Sequence, residues 1–173
     1  MKNEKQKVEI PNSWEFNCFG CSPTNHHGLQ LRFYLSEKGC FTEYAVPDHF
    51  CGFDQWVHGG IISSMLDEVA AWSIISHLFK IGITREITAK FLNPVLAMTK
   101  IYIEGEIISY DGKNAVVKSK ITSTNGLILA EAESKWSLPS TSTLAKIASI
   151  NEQELNQLLK RVIQPIQELH TSI

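Results

Sequence analysis

The sequence has no excess of charge of either sign. Sixteen Lys and Arg stand against eighteen Asp and Glu in 173 residues, a net charge of −2. That balance gives no electrostatic footprint for nucleic acid. The longest apolar runs are too short and too interrupted to span a bilayer. The opening M-K-N-E-K-Q-K-V-E-I is charged and lacks the apolar h-region of a secretory signal. Cysteine is sparse. Cys18, Cys21, Cys40 and Cys51 are the full set, and without an export signal they read as reduced thiols. Internal repeats and low-complexity segments are missing too. The expectation is one cytoplasmic domain, long enough to bury a real core, with no nucleic-acid partner and no membrane partner.

What the chain does have is one long apolar stretch from Val57 to Phe79 that opens on Gly59-Gly60. At 100° per residue, Ile61, Ile62, Met65, Leu66, Val69, Trp72, Ile75 and Phe79 share a broad face. The opposite side carries Ala70, Ala71, Ile74 and Leu78, interrupted by Ser63, Ser64, Asp67, Glu68 and His77. A helix apolar nearly all round is a buried helix. Two adjacent carboxylates in it need an explanation, because an unpaired buried charge costs several kcal/mol. Glu68 is expected on a solvated edge or beside Lys or Arg, and Asp67 is the candidate reacting carboxylate. The two glycines let a ligand approach the backbone closely, and N–H groups at a helix start favour a carbonyl or an anion.

Along the chain, residues 1–28 form an irregular lead-in punctuated by Pro and Gly. Leu29–Leu35 alternates with period two and predicts a strand, with Cys40–Val46 as its hairpin partner. Pro47–Trp56 reads as a loop. After the helix, Ile83–Leu92, Lys100–Tyr110, Ala115–Thr124 and Leu127–Leu138 predict an antiparallel meander. Asp111-Gly112 and Asn125-Gly126 supply hairpin turns. Residues 29–138 thus form the main domain. Residues 139–173 hold a Pro/Ser/Thr linker and an amphipathic helix from about Asn151, which Pro165 should kink or end. Segregated strands and helices predict an α+β fold, a twisted antiparallel sheet around one central helix.

The segment V-H-G-G-I-I-S-S-M-L-D-E, followed by I-T-R-E-I-T-A-K-F-L-N-P-V, resembles the hot-dog-fold thioesterase superfamily, in its phenylacetyl-CoA-thioesterase-like branch. Upstream, C-F-G-C-S-P-T-N-H-H-G-L-Q-L-R-F resembles an N-terminal signature of that branch, so the likeness covers about residues 15–138. The resemblance implies an acyl-CoA thioester hydrolase assembled as a homodimer or homotetramer. It implies Asp67 as base or nucleophile, Gly59 as the backbone donor to the thioester carbonyl, and Thr84 as the acid's support. Beside them, His58, Gly60, Gln55 and Asn93 are the candidate substrate-binding residues. Where some members carry Asn or Gln seven residues before the first motif glycine, this chain has Gly52, and neither Asp54, Gln55 nor His49 is in register. Independently, Gly59 and Asp67 lie eight residues apart, roughly 12 Å along a helix. A nucleophile must sit about 3–3.5 Å from the carbon it attacks, so a second antiparallel chain is expected to complete the site.

Other candidates are weighed alongside. His58 reads as a loop lock through hydrogen bonds before it reads as a base. Cys18-x-x-Cys21, with His26 and His27 nearby, lacks a second well-spaced pair, so neither metal nor cofactor is expected. Arg85, Lys90 and Lys100 are solvated strand positions before they are CoA-phosphate contacts. The alternatives to hydrolysis are a hot-dog hydratase or dehydratase, which needs a His–acid pair, and a non-catalytic acyl-CoA-binding module.

Overall fold

A computed structural model describes residues 7–13 and 16–172. Parts of the expected lead-in (residues 1–6, 14 and 15) lie outside the described residues, as does residue 173. The order is β1 (Tyr34–Ser36), β2 (Gly39–Ala45), β3 (Cys51–Phe53), β4 (Trp56–Val57), α1 (Gly59–Leu78), β5 (Ile83–Phe91), β6 (Lys100–Tyr110), β7 (Asn114–Ser123), β8 (Ile128–Ser137), α2 (Thr141–Ala148) and α3 (Glu152–Thr171). Six strands make one antiparallel sheet in the order β1-β2-β6-β7-β8-β5. The β6–β7 and β7–β8 turns carry Gly112 at φ 96° and Gly126 at φ 86°, a left-handed backbone that only glycine adopts without steric cost.

Alternation along the meander sorts the side chains. Ile101, Ile103, Ala115, Val117, Ile121, Ala130, Ala132 and Trp136 are buried and face α1. The outer face carries cross-strand pairs such as Lys90–Glu131 at 3.2 Å and Lys135–Glu86 at 3.0 Å. In exposed positions each pair contributes about 0–1 kcal/mol. Met65, Leu66, Val69, Ala70 and Ile74 of α1 are fully buried. One stripe of α1 is not covered: Gly60 is exposed and Ser63, Ser64, Asp67 and Ala71 are only half-buried.

Four expectations change. Leu29–Phe33 alternates as expected, with Leu29, Leu31 and Phe33 buried, but only Tyr34–Ser36 joins the sheet. Leu29 and Leu31 donate their N–H groups to Phe19 and Gly20 carbonyls instead. The loop before α1 contains the small β3–β4 hairpin. The expected linker gives way at Thr141 to α2, capped by Ser140, whose side chain accepts the Thr143 N–H. Helix α3 runs through Pro165 to Thr171, because Val162 and Ile166 are fully buried on either side of it. Their burial outweighs a proline cost of about 3 kcal/mol.

Helix α3 is tied to α1 through histidines. His77 lies 3.0 Å from Ser76 Oγ and donates from Nε2 to Ser36 O at 3.1 Å. His170 donates to Ser76 O at 2.7 Å, and the two rings meet edge to face at 5.3 Å. Burial, then the neighbouring His170, push the His77 imidazole below its ordinary 6.5, against the Ser36 and Glu37 backbone contacts that favour its charge. The unfolded chain therefore takes up the proton first as pH falls. Stability is full above about pH 6.5 and declines as pH drops toward the folded value. Urea midpoints followed down through the histidine range should show this decline in the wild type and a flatter one in His77→Gln. Equal slopes would assign the decline to other groups.

Candidate active site

The start of α1 is built by its cap. His58 is the N-cap residue, and its Nδ1 accepts the Gly60 N–H at 2.9 Å. The His58 backbone N–H donates to Phe50 O, and its carbonyl accepts Ile61 and Ile62. This matches the loop-locking reading of His58. A side chain at Gly60 would place Cβ 3.0 Å from that same Nδ1, and one at Gly52 would press on the His58 ring at 3.1 Å. Gly52 therefore makes room for the cap where some relatives of the motif carry an amide side chain.

Gly59 differs. Among the described residues nothing closer than the Phe91 ring, at 3.8 Å, would meet a Cβ there, so none of them requires glycine at this position. Its N–H has no acceptor among the described residues, whereas the Gly60 N–H is taken by the cap.

Asp67 lies two turns further along, on the uncovered stripe. Thr84, near the start of β5, donates from Oγ1 to Asp67 Oδ1 at 2.9 Å. Burial pushes the carboxyl upward, and the Thr84 hydrogen bond pulls it back. Ser63 and Ser64 spend their hydroxyls on the Gly59 and Gly60 carbonyls, at 3.0 and 2.9 Å. The arrangement is a half-buried carboxylate with one supporting hydroxyl and no cationic partner among the described residues. Such a group is suited to act as a base or nucleophile.

The other named residues sit apart. Gln55 is exposed on the β3–β4 turn and its carbonyl accepts the Ala97 N–H. Asn93 donates its side-chain amide to Ile128 O at 2.8 Å and bonds Leu129 O through its backbone, which holds the end of β5 to β8. Lys90 and Lys100 pair with Glu131 and Glu43, and Arg85 is exposed. A groove of about 560 Å3 on the outer sheet face, between Lys90, Glu104, Lys120 and Glu131, is lined by mutually paired charges and lies away from Asp67.

Glu68 is a correction. It reaches no Lys or Arg among the described residues. Instead it faces Cys18 and Cys21 and accepts the Trp72 indole N–H at 3.2 Å. Burial pushes its carboxyl up to about 7. Cys-x-x-Cys was the visible signal for this cluster, but its third member lies 47 or more positions away in the chain.

Residues 55–130 match the model of the thioesterase superfamily. An uncharacterized protein of Schizosaccharomyces pombe is 26% identical over 92 residues, 53% of each chain. The chain thus spans about half the length of the curated relative it matches. A Streptococcus mutans protein solved with acetyl-CoA superposes with a TM-score of 0.59 at 19% identity, over 64% of this chain and 89% of that one. The Escherichia coli PaaI protein from the phenylacetic acid degradation operon does so with a TM-score of 0.58 at 18% identity, over 63% and 83%. The fold is the hot dog expected from the motif, and the resemblance to the thioesterase superfamily holds.

Proposed function

We propose, on this thioesterase-superfamily core, that the protein hydrolyses an acyl-CoA thioester to free acid and CoA. We further propose that it works as a homodimer, or a tetramer of two such dimers, with each site shared between two chains. The observation that carries the reading is Asp67 held by Thr84 at 2.9 Å on the one uncovered stripe of α1, with the unused Gly59 N–H at the start of the same helix. The S. mutans neighbour solved with acetyl-CoA supports the ligand class.

The separation along α1 supports a shared site. Gly59 and Asp67 are about 12 Å apart on one helix, so an antiparallel second α1 brings the Gly59 of one chain to the Asp67 of the other. Small residues at Gly60, Ser63, Ser64 and Ala71 permit that approach. Exposed apolar side chains sit on the segments that flank α1 in the chain: the Phe91 ring lies 3.8 Å from the Cβ position of Gly59, and Phe53, Trp56, Leu92 and Met98 are also open, Phe53 and Met98 at 73% and 71%. Exposed apolar surface of this extent marks an interface or a ligand groove.

In the reaction, the Gly59 N–H holds the thioester oxygen as it becomes anionic. In one route the Asp67 carboxylate takes a proton from the attacking water and passes it to the CoA thiolate as the C–S bond breaks. In the other it attacks the carbonyl carbon itself, expels the thiolate, and leaves an acyl–Asp67 anhydride that water hydrolyses to the free acid, restoring Asp67 and supplying the thiolate's proton. Thr84 keeps the carboxylate aimed.

Free-thiol release from a panel of aliphatic and aromatic acyl-CoAs tests the activity. Stoichiometric CoA and acid are expected. Tight binding with no thiol released would favour the non-catalytic module instead. Thr84→Val keeps the side-chain shape and removes the hydroxyl. A hydrogen bond to a charged group contributes about 1.5–3 kcal/mol, so kcat should fall about tenfold to a hundredfold with KM little changed. An unchanged kcat would remove Thr84 from the site.

A further inference from the structure

We propose that Cys18, Cys21 and Glu68 form a binding site for one divalent ion of the zinc class, which clamps the N-terminal segment to α1. This inference is independent of the proposed hydrolysis. The two thiol sulfurs and a carboxylate oxygen of Glu68 all lie within 4.8 Å of one another, and both Glu68 oxygens face Cys18 Sγ, at 3.7 and 3.8 Å. A tetrahedral zinc with sulfur at about 2.3 Å and oxygen at about 2.0–2.2 Å has ligand–ligand edges of about 3.5–3.8 Å. The Cys18–Glu68 edge has that length, and Cys21 Sγ lies within 4.8 Å of both, a distance that a bound ion could draw in.

Three further features fit. The turn that carries the two thiols is closed by the Ser22 N–H, which donates to the Cys18 carbonyl at 3.3 Å. Gly20 allows the carboxylate to rest on the turn, since a Cβ there would lie 2.4 Å from the Glu68 carboxyl. The Trp72 indole holds Glu68 Oε1 at 3.2 Å, an outer hydrogen bond of the kind that orients a ligand. Charge supplies the physical motive. No Lys or Arg among the described residues pairs with Glu68, so these donors have no cation of the protein's own. A divalent ion would displace their protons and bind the anionic forms.

Mixed thiolate and carboxylate donors select zinc, cobalt or ferrous iron over magnesium and calcium, which take oxygen alone. Three protein ligands leave the fourth position for water. His26 and His27 are exposed on the following loop and stand outside the cluster. The ion would join elements already stacked. Phe33 packs on the Trp72 ring at 5.2 Å, and Leu29 and Leu31 bond the Phe19 and Gly20 carbonyls of the same turn.

The test uses the full chain, reduced, with zinc and cobalt as probes. Elemental analysis should find one zinc per chain, and cobalt should give a sulfur-to-metal charge-transfer band. Cys18→Ser and Cys21→Ser should lose that band. Trp72→Phe, which removes the orienting N–H together with part of the buried ring, should weaken zinc binding about tenfold to a hundredfold in a variant that stays folded. Cys51→Ser, outside the cluster, should keep both metal and band. Chelation should lower the thermal midpoint of the wild type, and zinc but not magnesium should restore it. Circular dichroism separates loss of metal from loss of fold in each variant. A folded wild type that takes up no zinc or cobalt overturns the proposal, whether its thiols stay free or close to a Cys18–Cys21 disulfide. Equal metal retention in Cys18→Ser, Cys21→Ser and Cys51→Ser overturns it as well.

Discussion

Asp67→Asn should reduce acyl-CoA hydrolysis by about 10²- to 10⁴-fold, the range that one positioned acid–base group contributes. The substitution keeps side-chain size. The Asn carbonyl can still accept the Thr84 hydroxyl, which now stands 2.9 Å from Asp67 Oδ1, so fold and assembly should survive. What is lost is the negative charge and the capacity to take a proton or attack carbon. Acyl-CoA binding should persist, because the Gly59 N–H and the apolar surround do not depend on the carboxylate. Glu68→Gln, the neighbour that looks like a matched control in the sequence, is unsuitable because Glu68 contacts Cys18 and Trp72. Glu86→Gln is the better control: Glu86 is exposed on β5 and, among the described residues, pairs with Lys135 alone, at 3.0 Å. An Asn variant that turns over at the wild-type rate would remove Asp67 from the chemistry.

Long-range pairing decides what the sequence could reveal. Helix α1 and the meander were legible because each signal is local: a helix apolar all round after Gly59-Gly60, and Asp-Gly and Asn-Gly turns between alternating runs. The Asp67–Thr84 contact was also legible, through the motif it resembles. Helix α2 was not, because its first turn, Thr141–Thr143 after Pro139-Ser140, has the Pro/Ser/Thr composition of a linker, and the five helical residues that follow are too few to show a period. The β3–β4 hairpin was missed for a similar reason, since two or three residues carry no period. Glu68 was misplaced because periodicity sets its angle on α1 and says nothing of what packs there. Its partners come from a turn 50 residues earlier, and only the fold closes that distance.

The close seat of α1 on the sheet is where the largest loss of stability is expected. Gly105 lies mid-strand in β6, opposite Cys40 of β2 and Ser119 of β7. A Cβ there would stand 2.5 Å from Ser73 Oγ and 2.9 Å from the Val69 carbonyl. Ser73 cannot simply turn away. Its hydroxyl donates to Val69 O at 2.8 Å and accepts the Cys40 N–H at 3.2 Å, and all of it is fully buried. Relief therefore requires the helix to move. The neighbouring strand is seated as tightly, since a Cβ added at Gly39 would lie 2.2 Å from Gly105 O. Overpacking of a tight core costs about 1–3 kcal/mol, and Gly105→Ala should reach the upper end of that range. Gly105→Val should exceed it and approach the whole stability of a domain this size, about 5–15 kcal/mol. Urea denaturation of wild type, Gly105→Ala, Ser73→Ala and the double variant measures the clash. Ser73→Ala alone orphans the Cys40 N–H and should cost about 1–3 kcal/mol. In the double variant the removed hydroxyl makes room for the added methyl, so the combined loss should fall short of the sum by about 0.5–3 kcal/mol. Strict additivity, or a Gly105→Ala midpoint equal to wild type, would mean that α1 does not sit this close to β6. The displacement would also reach Asp67, two residues before Val69. Gly105→Ala should accordingly lose hydrolytic activity at urea concentrations below its unfolding transition.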